Sequence, residues 1–427
     1  MDRYEAMRDS GRIWLGQIPK HWRILRMKNV FEVVSERNHP DAEVLSLYRE
    51  YGVLPKSSRD DNHNVTSEDT ASYKFVRVDD LVINKMKAWQ GSLGISQYEG
   101  IVSPAYYVCR FINDGVSKHY YHYLLRSRTY AQEFERLSTG MRVGQWDLGI
   151  DDFMSVPALI PPLDEQQSIA AYLDDYVSQI DSIIAEAQAS IEEYKRWKAS
   201  VIFEAVTKGL NSSVTLRRSN DPRLGMIPSH WKLAKVKQVS QINPPCTTGG
   251  LSPDDEVTFA PMECIRTDRR IPKTAPLSSN NFSYSSFNEG DIALAKVTPC
   301  FQNSNVCIME GLVNGYAFGS SELFNIRPVG INRRFLLYYF MTETFKDGGV
   351  ASMTGVAGLQ RVSSTYVRNA VIPYPDEKEQ NDIVAYLDNK CSSIDGIIGE
   401  KESLVSDLEA YKRSLIYEAV TGKRKVV

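Results

Sequence analysis

Glu165-Gln166-Gln167-Ser168-Ile169-Ala170-Ala171-Tyr172-Leu173-Asp174 returns 214 residues later as Glu379-Gln380-Asn381-Asp382-Ile383-Val384-Ala385-Tyr386-Leu387-Asp388. Both stretches open long helical runs. From Glu165 to Thr207 there is no proline and no glycine, Pro161-Pro162 stands before the run and Gly209 after it. These are start and stop signals, and they bound a helix of up to about 64 Å at 1.5 Å per residue. Positions 169, 173, 176, 180, 183, 187, 190, 194, 197 and 201 are apolar or aromatic at all but Ser190. That 3–4 spacing predicts a coiled-coil seam. Shifted by 214, eight of ten positions keep it, while Gly396 and Gly399 weaken the second helix by about 1 kcal/mol each against alanine. The candidate interface residues are Ile169, Leu173, Ile180, Ile183, Tyr194 and Trp197 on the first helix. On the second they are Ile383, Leu387, Ile394, Ile397, Leu408 and Tyr411. A narrow stripe of this length asks for a partner. Either the two helices pair as a spacer, or each packs on its own domain as ordinary core. Arg196, Lys198, Lys412 and Arg413 are read as facing outward, free to serve other subunits.

The repeat extends beyond the helices. Gly16-Gln17-Ile18-Pro19-Lys20-His21-Trp22 returns as Gly225-Met226-Ile227-Pro228-Ser229-His230-Trp231 at offset 209. Val78-Asp79-Asp80-Leu81 is echoed by Glu289-Gly290-Asp291-Ile292, and Lys85 by Lys296 at offset 211. Ile160-Pro161-Pro162 is echoed by Ile372-Pro373-Tyr374, and Phe203-Glu204-Ala205-Val206-Thr207 by Tyr417-Glu418-Ala419-Val420-Thr421. The interiors, 23–77 and 232–288, have little in common beyond a polar, loop-rich character. One frame carrying two dissimilar inserts suits reading two different things; plain duplication followed by drift is the alternative, though drift alone does not explain why the helical ends stay similar and the middles do not. The expected fold class is α+β, with mixed α/β domains over 1–160 and 211–374 and long helices within 161–210 and 375–427.

With 427 residues, 42% hydrophobic and 24% charged, the chain is too long for one small core and too ordinary in composition for wholesale disorder. No apolar run approaches the roughly 20 residues of a membrane span. No signal peptide is read at Met1-Asp2-Arg3-Tyr4-Glu5, so a cytoplasmic protein is expected. Six cysteines are scattered without a Cys-x-x-Cys pair, which argues for buried thiols rather than zinc. The net charge of −3 hides an asymmetry: residues 161–209 hold 4 basic and 9 acidic residues, and residues 210–374 hold 17 and 12. A local basic face is allowed, and an ordinary solvated surface equally so.

Each inserted domain shows short β-rich runs (Leu81–Ile83, Ala105–Val108, Ile292–Leu294, Val371–Ile372) and a helical stretch (Tyr120–Leu137, Arg333–Phe345). A Gly-rich polar loop follows each stretch, Ser138–Gln145 and Thr354–Arg361. Loops that mix glycine with Arg and Gln can approach a groove and donate to base edges. The candidate nucleic-acid contacts are therefore Lys85, Lys87, Arg142, Gln145, Lys296, Gln302, Gln360 and Arg361. The cluster Tyr106, Tyr107, Tyr120, Tyr121 and Tyr123 is better explained by core packing than by base stacking.

The doubled Gly-x-Ile-Pro-x-His-Trp, the doubled Glu-Gln-x-x-Ile-x-x-Tyr-Leu-Asp, the seamed helices and the dissimilar inserts together resemble the specificity subunit of type I restriction-modification enzymes. The resemblance covers essentially the whole chain. It implies two target recognition domains, each reading half of a split, asymmetric double-stranded DNA sequence. It implies that the helices form an antiparallel coiled coil that fixes the unread gap, with an internal pseudo-twofold repeat. Partners would be two methyltransferase subunits, which bring S-adenosylmethionine and adenine-N6 chemistry, and restriction subunits, which bring ATP- and Mg-dependent translocation and cleavage. No cofactor would belong to this chain, which would be a non-catalytic adaptor. Two rigid readers on a fixed rod impose a fixed half-site spacing.

Two rivals come from other classes. Asn243-Pro244-Pro245-Cys246 resembles the Asn-Pro-Pro-aromatic motif of adenine-N6 methyltransferases. Here the aromatic position is cysteine and no Gly-rich cofactor turn lies at a sensible distance, so a structural turn is the better reading. A pure coiled-coil scaffold, whose domains bind protein, is the second rival. His119-x-x-His122 lacks a third metal ligand, and there is no Walker loop.

Overall fold

The computed structural model describes residues 3–49, 51–59, 70–113, 115–142, 145–280, 283–355 and 358–426, the side chains of 141, 142 and 145 excepted. The chain divides into two compact units, Met1–Gln188 with Ser403–Val427, and Ala189–Glu402. Mixed helix and strand are present in both.

In the first unit an antiparallel sheet runs in the order Phe31–Val34, Tyr106–Phe111, Leu81–Asn84, Leu93–Ile95. In the second, the order is Ser240–Ile242, Leu323–Pro328, Ile292–Ala295, Val306–Ile308. The central strands Leu81–Asn84 and Ile292–Ala295 are nearly continuous apolar runs and are buried. The second unit adds a four-stranded mixed sheet in which Glu256–Ala260 and Tyr316–Gly319 run parallel. At the corresponding place in the chain the described residues of the first form the pairs Leu45–Tyr48 with Gly52–Pro55 and Lys74–Val76 with Gly100–Val102.

The two expected helical stretches are each broken in two. Lys118–Arg126 and Arg128–Leu137 meet at Ser127, and Arg333–Met341 and Glu343–Ala351 meet at Thr342. Both junction residues are extended, and their hydroxyls bond the preceding turn, Leu124 O and Tyr339 O, at 2.7 Å. A hydroxyl that returns to its own backbone competes with helix continuation. Tyr120 and Tyr121 are fully buried in the first core, as packing predicts.

The long helices are Leu163–Lys208 and Glu377–Val420, running through Gly396 and Gly399 without interruption. Glycines with positive φ follow them, Gly209 at +75° and Gly422 at +70°, the left-handed geometry that ends helices. A Cβ on Gly209 would lie 3.0 Å from the Trp231 ring, and one on Gly422 would collide with Pro19. Each helix therefore ends where only glycine fits.

The positions of the expected seam are buried at the helix starts, in the cores of the two units, and burial drifts off them further along. Ile169, Leu173, Ile180, Ile383, Leu387 and Ile394 are buried. Ile183, Trp197 and Tyr411 are instead 46%, 43% and 44% exposed. A straight helix falls behind a seven-residue repeat by about 20° per heptad. The buried stripe moves to Ile180, Ile191 and Ile202, at the eleven-residue spacing of about 3.67 per turn. Tyr194, Ile397 and Leu408 are half-buried.

Lys198 and Lys412 are not free outward charges. In the first unit Lys412 Nζ reaches Asp181 at 2.6 Å, and Arg424, beyond the end of its helix, donates to Tyr172 Oη at 3.1 Å. In the second unit Lys198 Nζ reaches Asp395 at 2.6 Å. Both members of each pair are 214 residues from their counterparts.

Candidate nucleic-acid interface

The repeated motifs meet in space within each unit. Trp22 Nε1 donates to Glu165 at 3.0 Å and His21 Nε2 lies 2.8 Å from the same carboxylate. Trp231 Nε1 donates to Glu379 at 2.9 Å, with His230 Nε2 at 3.0 Å. The neighbouring glutamines tie the helix start to the next element. Gln166 Nε2 donates to Pro161 O and its Oε1 accepts from Ser117 N, both at 2.8 Å. Gln380 does the same with Pro375 O at 2.9 Å and Asn332 N at 2.7 Å. Ser117 and Asn332 are the N-caps of the short helices. Glu-Gln is thus a mounting bracket, which explains why it recurs with His-Trp.

A second matched pair supports the sheet. Asp80, fully buried, accepts from Arg110 Nε at 2.9 Å and Nη2 at 2.8 Å. Asp291 accepts from Arg327 at 2.7 and 2.8 Å. These bonds push both guanidinium pKa values further up.

On these frames sit the candidate contacts. In the first unit Leu148 N donates to Lys85 O at 3.0 Å, joining the Lys85 turn to a hairpin of Thr139–Arg142 and Gln145–Asp147. The expected loop is therefore a hairpin. Lys85 Nζ pairs with Asp147 at 3.1 Å, Lys87 is exposed, and Trp89 packs on Trp146 with centroids 5.2 Å apart. Val143, Gly144 and the side chains of Arg142 and Gln145 lie outside the described residues. In the second unit Val362 N donates to Lys296 O at 2.9 Å, the counterpart of the Leu148 bond. Gln360 bonds Thr298 in both directions through its backbone, and Gln302 is exposed on the adjoining turn. Arg361 grips Glu322 at 2.8 and 2.7 Å. Lys296 lies 4.8 Å over the Phe324 ring and donates to Ser321 O; burial lowers its pKa. Val356 and Ala357 of the second loop lie outside the described residues. Each unit thus brings its matched lysine and its Gly-rich loop together, with Lys85, Lys296 and Arg361 already holding protein partners.

The methyltransferase-like tetrapeptide is internally committed. Asn243, at φ +50°, accepts from Asn325 N through Oδ1 at 2.9 Å, and its own N–H donates to Asn325 O. The carboxamide oxygen thus ties the turn to the strand Leu323–Pro328. Cys246 Sγ faces Asn325 and Arg327 at 3.3 and 3.4 Å, and burial raises its pKa. His122 accepts from Ile95 N, and His119 lies 3.3 Å from Asp174. Among the described residues no His/Cys/Asp/Glu group could hold a metal ion.

Residues 19–193 match the family profile of the type I restriction modification DNA specificity domain. The match is to the first half of the chain. It is 33% identical over 206 residues to the type I restriction enzyme EcoEI specificity subunit of Escherichia coli, covering 46% of this chain and 33% of that one. It spans about a third of the length of the first curated relatives it matches. The MjaVIII specificity subunit of Methanocaldococcus jannaschii is 22% identical over 429 residues, covering 96% of this chain and 94% of that one. A solved chain from a study of complex assembly and conformational transition of the type I R-M system superposes with a TM-score of 0.69. It is 14% identical and covers 94% of this chain and 98% of that chain, a likeness of fold. The exposed cations Arg23, Arg26 and Lys28 lie inside the matched span and are not among the contacts expected from the sequence. Their signal is a charge pattern without identity.

Proposed function

We propose that this chain is the sequence-specificity subunit of a type I restriction-modification complex, a non-catalytic reader of a bipartite, asymmetric DNA sequence. The observation that carries this reading is the doubled frame. In each unit the backbone of a matched lysine is hydrogen-bonded to the chain just beyond a Gly-rich loop, and each unit repeats the Glu–His–Trp contact, while the surrounding sequence differs. Two target recognition domains, near 1–160 and 211–374, would each read one half-site. The long helices within 161–210 and 375–427 would pair as an antiparallel coiled coil that sets the unread gap. Methyltransferase subunits, two per chain, and restriction subunits would dock on it and carry S-adenosylmethionine, ATP and Mg. Tyr176 and Ile183, exposed seven residues apart on the long helix of the first unit, give such subunits an apolar foothold. A cytoplasmic location follows from that role.

The test is a methylation map of DNA from a methylation-free host expressing the chain alone and then with its methyltransferase partner. Methylated adenines in one split motif, only with the partner, are the expected result. Methylation by the chain alone would overturn the non-catalytic reading. No motif with an active partner would favour a scaffold.

A further inference from the structure

Residues 23–30 read Arg-Ile-Leu-Arg-Met-Lys-Asn-Val, and residues 232–239 read Lys-Leu-Ala-Lys-Val-Lys-Gln-Val. Only two of eight letters are identical, yet charge, apolar and polar positions coincide throughout. Arg23–Arg26 and Lys232–Lys235 are strands with the same burial: both ends exposed and the middle half-buried. Met27 and Val236 are buried and anchor the strand ends, while Lys28 and Lys237 are exposed. Among the described residues none of the six cations stands in an ion pair. The other matched polar residues do internal work: Glu165 and Glu379 hold the tryptophans, Asp80 and Asp291 hold arginines, and Lys198 and Lys412 hold aspartates. A charge kept in both units, without an internal partner, points outward.

The strands pair with the segments that follow the candidate reading loops in the chain. Arg23–Arg26 pairs with Pro157–Ile160, which follows the first loop after the helix Ile150–Ser155. Lys232–Lys235 pairs with Val371–Tyr374, which follows the second loop after the helix Ser364–Asn369.

We propose that Arg23, Arg26 and Lys28 in the first unit, and Lys232, Lys235 and Lys237 in the second, are matched contacts to the phosphodiester backbone of DNA, made without regard to base sequence. This rests on the reading above and extends it. Phosphates are the same under any half-site, so two units that read different bases need the same backbone contacts. The exchange of arginine for lysine between units keeps a point charge and gives up bidentate geometry. That exchange suits phosphate better than a shaped carboxylate pocket on a protein.

The test uses the assembled complex with its methyltransferase partner and two duplexes, one cognate and one mismatched. The triple variant R23Q/R26Q/K28Q is expected to weaken binding to both by the same factor. The slope of log K against log salt should fall by about 0.9 for each phosphate no longer neutralised, or about 2.7 for three. K232Q/K235Q/K237Q should do the same, and R23K/R26K should bind as the parent does. The methylated motif should not change. An unaltered salt slope overturns the proposal, as does weakening confined to the cognate duplex. Failure to capture the methyltransferase subunit, with DNA affinity intact, would assign the strips to an acidic protein surface instead. A parent complex that methylates no motif would refute the reading it rests on. A parent that reads its motif, with variants that keep the salt slope, refutes only the backbone contacts.

Discussion

Replacing Glu165 by alanine tests the mount on which the first reading domain is built. The carboxylate accepts from the buried Trp22 indole at 3.0 Å, from half-exposed His21 at 2.8 Å and from the Tyr4 hydroxyl. His21 and Tyr4 can turn to water. The Trp22 N–H cannot, and a buried donor left without an acceptor costs about 1–3 kcal/mol, toward the upper end when the missing acceptor is charged. A loss of about 2–3 kcal/mol is expected, which for a unit of this size is a fall of about 5–10 °C in Tm. Glu165→Gln keeps an acceptor for the indole and should lose about half as much. In a double-mutant cycle with Trp22→Phe, measured by calorimetry, the two changes should couple. Two results would refute the reasoning: an alanine variant with a Tm indistinguishable from the parent's, or strict additivity with Trp22→Phe.

Three further outcomes follow from the same contacts. Lys412→Ala should cost no more than about 1 kcal/mol, because the pair with Asp181 is partly exposed; exchanging both residues (Lys412→Asp with Asp181→Lys) should recover the loss in low salt but not in roughly 1 M salt. His122 is held neutral, its pKa pushed down to about 3 by burial, with Arg126 and His119 adding to the effect. The unfolded chain takes up that proton near pH 6.5, so stability is full above that and falls by about 1.4 kcal/mol per pH unit toward pH 3; urea titrations of His122→Gln should lack this slope. Inserting four residues near Glu186 should change the gap between half-sites in a methylation map and leave the bases read unchanged.

What the sequence makes legible is what repeats and what is periodic. A run from Glu165 to Thr207 without proline or glycine has no alternative to a helix, and Leu163–Lys208 is one. The seam is readable only near the helix starts, because a seven-residue template and a straight helix part company after a few turns, leaving Ile183 and Trp197 outside. Breaks at Ser127 and Thr342 depend on hydroxyls that choose between helix and backbone return, which no period reports. At the candidate interface, Lys85 and Lys296 stand out because their letters match, and their ties to Asp147, Phe324 and Ser321 come from residues far along the chain. The basic strands escape in the opposite way: their pattern matches while only two of eight letters do. Identity locates residues with shaped internal partners, and charge pattern locates those that face a uniform one.

The most direct test of the central claim is exchange of residues 225–371 for the equivalent domain of a relative, followed by a methylation map of the hybrid with its methyltransferase partner. The account predicts a new second half-site beside an unchanged first one. A hybrid that alters both half-sites, or neither, would contradict two independent readers on one frame.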